Sequence, residues 1–374
     1  MSQEEKRVAA VPRSASVVGL PFALGVLLAL GLLWATGQLG AALAAGLSYG
    51  QLPLLAIAVL GWRAERAPRA RVLAVALLYT IGVGLTTVTL AMAWLALGGE
   101  GAPRAASASL AGLALVLLAL LLLPALLLVR PVRLVLARVF PLEPDAFRHW
   151  LGLVALFWLV AIPLALLALL AGRPPLEALA VRTGAEALEQ PTALELLYGL
   201  GWTLILSLAA AGFPQARPLG AALVRLGLTW PGWRWLVVGI VLSVAMVPLF
   251  DLVDRAASAI VAGFGLATTP SSWIERLFGR SVGIGGVLVA ALAAGLGEEV
   301  VWRGLVQPRY GLLAAALGFS AMHGFQYGPD GLLSVFVSGL VLGLVRRWRN
   351  TTVAAVIHTG YDFWLLLGMQ LHWW

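Results

Sequence analysis

What most constrains this chain is the regular return of apolar runs of about 20 residues, each long enough to cross roughly 30 Å of hydrocarbon. They can be read near 16–36, 41–61, 72–97, 105–129, 151–172, 194–213, 235–250, 281–303, 311–327, 332–345 and 351–371. Only short loops separate them. With 61% hydrophobic and 11% charged residues and a mean hydropathy of +0.95, a soluble domain would have too little to set against water. The expected fold is all-α: a polytopic transmembrane helix bundle of about eleven spans.

Basic residues are retained on the cytoplasmic side during insertion, so the arginines give an orientation. With the N-terminus cytoplasmic, Lys6, Arg7 and Arg13 lie inside, as do the groups Arg63–Arg71, Arg130–Arg148, Arg217–Arg234, Arg309 and Arg346–Arg349. That leaves Arg104, Arg173, Arg182, Arg255, Arg276 and Arg280 outside, six against eighteen, with Arg303 inside a span. The loops at 63–71, 130–148 and 346–350 carry the densest groups. The net charge of +8 is spread over membrane-flanking loops, which fits positive-inside signalling and anionic lipid rather than nucleic acid. The absence of cysteine excludes disulfides, thiolate ligands and a cysteine nucleophile.

The first run follows basic residues as a signal peptide's would, but it exceeds the usual 7–15-residue apolar core and reads as a retained helix. The stretches 173–193 and 251–280 are expected to form short interfacial helices at most, with Asp251 and Asp254 facing water. Trp230, Trp233 and Trp235 read as headgroup-level anchors, and His149 and His372 as interfacial residues outside any chemistry.

Against this apolar background three late segments stand out: Glu298-Glu299-Val300-Val301-Trp302-Arg303, Phe319-Ser320-Ala321-Met322-His323 and His358-Thr359-Gly360-Tyr361-Asp362. An ionisable group in hydrocarbon costs at least about 2.5 kcal/mol, so such a cluster needs a purpose. Gly286, Ala290, Ala294 and Glu298 recur every four residues, and Ala291, Gly295, Glu299 and Arg303 form the next row. Small-residue faces let membrane helices approach closely, which directs both glutamates into the bundle. Glu299 and Arg303, at i and i+4, are within pairing range, while Glu298 stays unpaired. The same spacing aligns Phe319 with His323 and His358 with Asp362. Counted at about 1.5 Å per residue, these groups meet roughly 7–18 Å from the cytoplasmic ends.

These residues resemble the CAAX protease and bacteriocin-processing (Abi) family of intramembrane proteases, related to the CAAX prenyl endopeptidase. The resemblance covers residues 235–374; residues 1–230 hold helices with no motif of that family and no assigned role. It implies an endopeptidase for membrane-associated peptides, with its site in the cytoplasmic half of the bilayer. Glu298 would activate water with His323, His358 and Asp362 would stabilise the oxyanion, and Glu299, Arg303 and Phe319 would support them. CAAX-processing members carry asparagine where this chain has Asp362, and an ionised aspartate would repel an oxyanion. Acting protonated, orienting His358 and binding a metal are the roles open to it. Family members are often described as metalloproteases, and Glu298, His323 and His358 supply three candidate zinc ligands, although the H-E-x-x-H signature is absent. A glutamate-based hydrolase without metal uses the same residues.

Two other classes fit the cluster. A proton- or ion-coupled transporter would use it as a relay, against which stand the missing internal repeat and its confinement to the last third. An inactive scaffold or immunity protein would keep the fold without the chemistry. The leucine, alanine and arginine bias points to a bacterial cytoplasmic membrane.

Overall fold

The computed structural model describes residues 51–97, 105–127, 129–184, 191–278 and 283–373. The span expected at 16–36, most of the one at 41–61, and Lys6, Arg7, Arg13, Arg104 and Arg280 lie outside them. No strand occurs among the described residues. The helices are α1 (Gln51–Arg63), α2 (Pro68–Leu97), α3 (Ala105–Leu126), α4 (Arg130–Leu136), α5 (Phe147–Leu169), α6 (Pro175–Thr183), α7 (Ala193–Ala211), α8 (Leu219–Arg225), α9 (Trp233–Gly263), α10 (Ser271–Phe278), α11 (Gly283–Glu299), a π-helical segment (Val300–Val306), α12 (Gln307–Met322), α13 (Pro329–Trp348) and α14 (Thr351–Gln370).

Six helical segments among the described residues are long and apolar enough to cross a membrane. Val72, Ile240 and Leu249 point outward while Glu299 and Arg303 are fully buried, the arrangement of an integral membrane protein. The fifth segment, Gly283–Phe325, is 43 residues long, and as a straight rod it would reach about twice the hydrocarbon thickness. It is not straight. Gly311 has φ +87° and ψ 171°, a conformation closed to other residues at little cost, and the chain turns back there. The return brings Phe319 to within 6.4 Å of Trp302, ring centre to ring centre.

Helix α9 runs past the expected end near 250 to Gly263. Asp251, Asp254 and Arg255 lower the hydropathy there without breaking the helix, because Asp251 pairs with Arg255 one turn on at 2.8 Å. Asp251 and Asp254 are exposed, and Asp254 also accepts a hydrogen bond from Ser334 of α13. The stretches after α5 and α9 hold the short helices α6 and α10.

Two contacts set the position of the site. Gly295 of α11 lies so close to Thr359 that a Cβ would meet the backbone and hydroxyl of that residue, which brings α11 and α14 together over the small-residue row. At its start α14 is capped by Asn350, whose side chain accepts from the Val353 N–H at 3.0 Å and donates to the Thr229 carbonyl at 3.2 Å. Helix α5 backs the other side. Trp150, Leu156, Trp302, Tyr310 and Phe319 form one buried cluster, and the Tyr310 hydroxyl donates to the His149 carbonyl at 2.8 Å.

Candidate active site

Glu298 and Glu299 are the last residues of α11, and the helix widens to π geometry directly after them. Such widenings often accompany functional sites. Arg303 Nη1 lies 2.9 Å from Glu299 Oε1, and the two side chains are 1% and 0% exposed. The same Oε1 accepts from His358 Nδ1 at 2.9 Å, so Glu299 joins α11, the π segment and α14. Arg303 also lies over the Phe319 ring, 4.3 Å from its centre, and donates to the Gly339 carbonyl at 3.4 Å.

Glu298 points the other way and remains 33% exposed. Its Oε1 is 3.9 Å from His323 Nε2 and its Oε2 is 3.9 Å from His358 Nε2. Each ring is held from behind. His323 Nδ1 lies 2.9 Å from the Phe319 carbonyl oxygen, which only accepts, so Nδ1 donates there and Nε2 is the nitrogen turned to Glu298. The His323 ring stacks on Tyr327, with centres 5.9 Å apart and planes within 3°. His358 donates from Nδ1 to Glu299, and its Nε2 faces Asp362 Oδ2 at 3.5 Å as well as Glu298. Both nitrogens of that ring thus face carboxylate oxygens, the arrangement of a ring carrying a proton on each.

The structure therefore brings Glu298, Glu299, Arg303, Phe319, His323, His358 and Asp362 into one cluster. Sequence spacing placed Glu299 beside Arg303 but not beside His358, because a contact between helices 59 residues apart has no periodic signature. Tyr327 was not anticipated, since one aromatic residue after a membrane segment carries no signal of its own. His149 lies apart, its Nδ1 accepting from the Glu143 N–H at 3.1 Å. Among the described residues no three histidine or carboxylate side chains are grouped as a metal ion requires. Glu298 meets the two histidines through different oxygens, each 3.9 Å from an imidazole Nε2.

Residues 280–364 match the family model described as type II CAAX prenyl endopeptidase Rce1-like. This stretch is Rce1-like. It contains every residue of the cluster, from Glu298 to Asp362, and is narrower than the 235–374 region of the sequence resemblance. No curated protein and no solved structure matches the chain.

Proposed function

We propose that the chain is an intramembrane endopeptidase that hydrolyses peptide bonds of membrane-associated substrates, with Glu298 as general base. The observation that carries this reading is a partly exposed carboxylate between two imidazole Nε2 atoms at 3.9 Å, with both rings oriented through Nδ1. A distance of 3.9 Å is too long for a direct hydrogen bond, and it lets one water sit beside the carboxylate and within reach of His323. The Rce1-like match supports the reaction class.

In this scheme His323 accepts one hydrogen of the water and Glu298 removes the other as the oxygen attacks the peptide carbonyl carbon. The carbonyl electron pair moves onto oxygen, and the Nε2–H of His358 donates to the oxyanion. Asp362 faces that Nε2–H beforehand, and the oxyanion replaces it as the acceptor while the proton stays on His358. On collapse the C–N bond breaks, and Glu298 returns its proton to the leaving nitrogen. Glu299 and Arg303 act at one remove by fixing His358 from inside the bundle.

Glu298→Gln keeps the size of the side chain and removes the base. It should lower cleavage by about a hundredfold or more while the protein stays monodisperse in detergent. Comparing membrane peptides from cells carrying wild type and Glu298→Gln supplies the substrate and the test together. Equal processing in the two would remove Glu298 from the reaction.

A further inference from the structure

At the end of the bundle away from the Asp254–Ser334 contact, five arginines from α5, the α8 region, α12 and α13 lie near enough for each to feel the charge of another. Arg148 opens α5, Arg217 precedes α8, Arg225 ends it, Arg309 lies just before the Gly311 turn and Arg346 lies in the last turn of α13. Trp62 receives two of them, with Arg148 at 4.9 Å and Arg217 at 5.2 Å from its ring. Two others hold adjacent carbonyls of the π segment: Arg346 donates to the Arg303 oxygen at 3.1 Å and Arg225 to the Gly304 oxygen at 3.3 Å. All five are half-buried.

Their charge is poorly balanced. Among the described residues, the carboxylates in ion-pair range are Glu65 at 2.8 Å and Glu143 at 3.7 Å, and both are on Arg148. Arg217, Arg225, Arg309 and Arg346 have none within 4.0 Å there, and the buried Nε of Arg148 has no hydrogen-bond partner. Burial and the charges of Arg309, Arg217 and Arg346 push the Arg225 guanidinium down to about 10, and burial with the Arg148 charge lowers Arg217. Cations drawn this close without counter-charge are stabilised by an anion that bridges them, and guanidinium forks match phosphate oxygens in pairs. Insertion signalling explains basic residues in these loops, but it does not require arginines of separate loops to lie near one another.

We propose that Arg148, Arg217, Arg225, Arg309 and Arg346 form a binding site for a phosphate-bearing anion, filled in the membrane by the headgroup of an anionic phospholipid. Arg148 and Arg346 stand near the ends of two candidate spans, Phe147–Leu169 and Pro329–Trp348, where a headgroup would be met. The occupant of the site would lie beside the two arginines that hold the π-segment carbonyls.

The test uses the full chain in a neutral detergent, with phosphatidylglycerol, phosphatidylcholine or inorganic phosphate added. Retention is read by native mass spectrometry and stability by thermal unfolding. Wild type should retain phosphatidylglycerol over phosphatidylcholine by about tenfold or more and unfold at a higher temperature with it. Arg217→Gln with Arg225→Gln should lose that preference, whereas Arg66→Gln with Arg69→Gln, an equal charge change at exposed positions, should keep it. No preference in wild type overturns the proposal without recourse to any variant. An equal loss in both double variants would overturn it in favour of diffuse charge, and a shift reproduced by inorganic phosphate alone would overturn the lipid assignment.

Discussion

At the scale of single residues, Glu298 and Glu299 are neighbours in sequence with opposite environments. Glu298 is partly exposed and 3.9 Å from two imidazoles, while Glu299 is sealed inside with Arg303 and His358. Removing one partner of a buried pair leaves the other charge uncompensated, at a cost of about 3–5 kcal/mol. Glu299→Gln and Arg303→Ala are therefore expected to lower folded yield and unfolding temperature, whereas Glu298→Gln should leave both near wild type. Fluorescence-detected size exclusion of the three variants gives the comparison, and a Glu299→Gln protein as stable as wild type would mean that Glu299 is not holding the bundle. The i,i+4 spacing made the Glu299–Arg303 pair legible in the sequence. The Glu299–His358 bond was not legible, and it gives the His358 ring a second carboxylate partner beside Asp362. With Nδ1 taken by Glu299, Asp362 is left on the Nε2 side, where the reacting atoms would be.

At the scale of elements, composition marks apolar helices because a membrane segment must satisfy its own backbone. Eleven spans are read from it, whereas six segments among the described residues are long and apolar enough, and the runs at 281–303 and 311–327 fall in one of them. Hydropathy misplaced the end of α9, where an Asp251–Arg255 pair lets charged residues continue a helix. It was silent on the π segment, whose register depends on which side chains reach its carbonyls, here Arg225 and Arg346. The small-residue row of α11 was readable, and its physical content can be tested at two glycines. A Cβ at Gly295 would strike Thr359, including its backbone, and α14 cannot move away without pulling His358 from Glu299. A Cβ at Gly285 would meet nothing within 4 Å. Gly295→Ala should cost about 1–3 kcal/mol as overpacking and reduce activity as well. Gly285→Ala should be neutral or stabilising, since it removes a glycine from a helix interior. Equal unfolding temperatures for the two variants would show that α11 and α14 are not in close contact at Gly295.

At the scale of the whole molecule, two independent arguments bear on which loops share a side of the membrane. The fold joins them physically. Arg148 pairs with Glu65, Arg217 shares Trp62 with Arg148, and Arg225 and Arg346 grip neighbouring carbonyls of one segment, so the 63–71, 130–148 and 346–350 loops must lie together. The arginine count supplies an expectation for which side that is, because basic loops tend to stay in the cytoplasm. The chain has no cysteine, so a single introduced thiol reports its own position. Pro68→Cys, Asp145→Cys and Arg347→Cys, all at exposed positions, should react with a membrane-impermeant maleimide only after the cells are opened. Leu266→Cys, exposed just beyond the other end of α9, should react in intact cells. Labelling of all three basic-end thiols in intact cells would invert the orientation and leave the fold untouched. Labelling of only one or two would be graver, since it would place across the membrane residues that the Arg148–Glu65 pair and the π-segment contacts hold together.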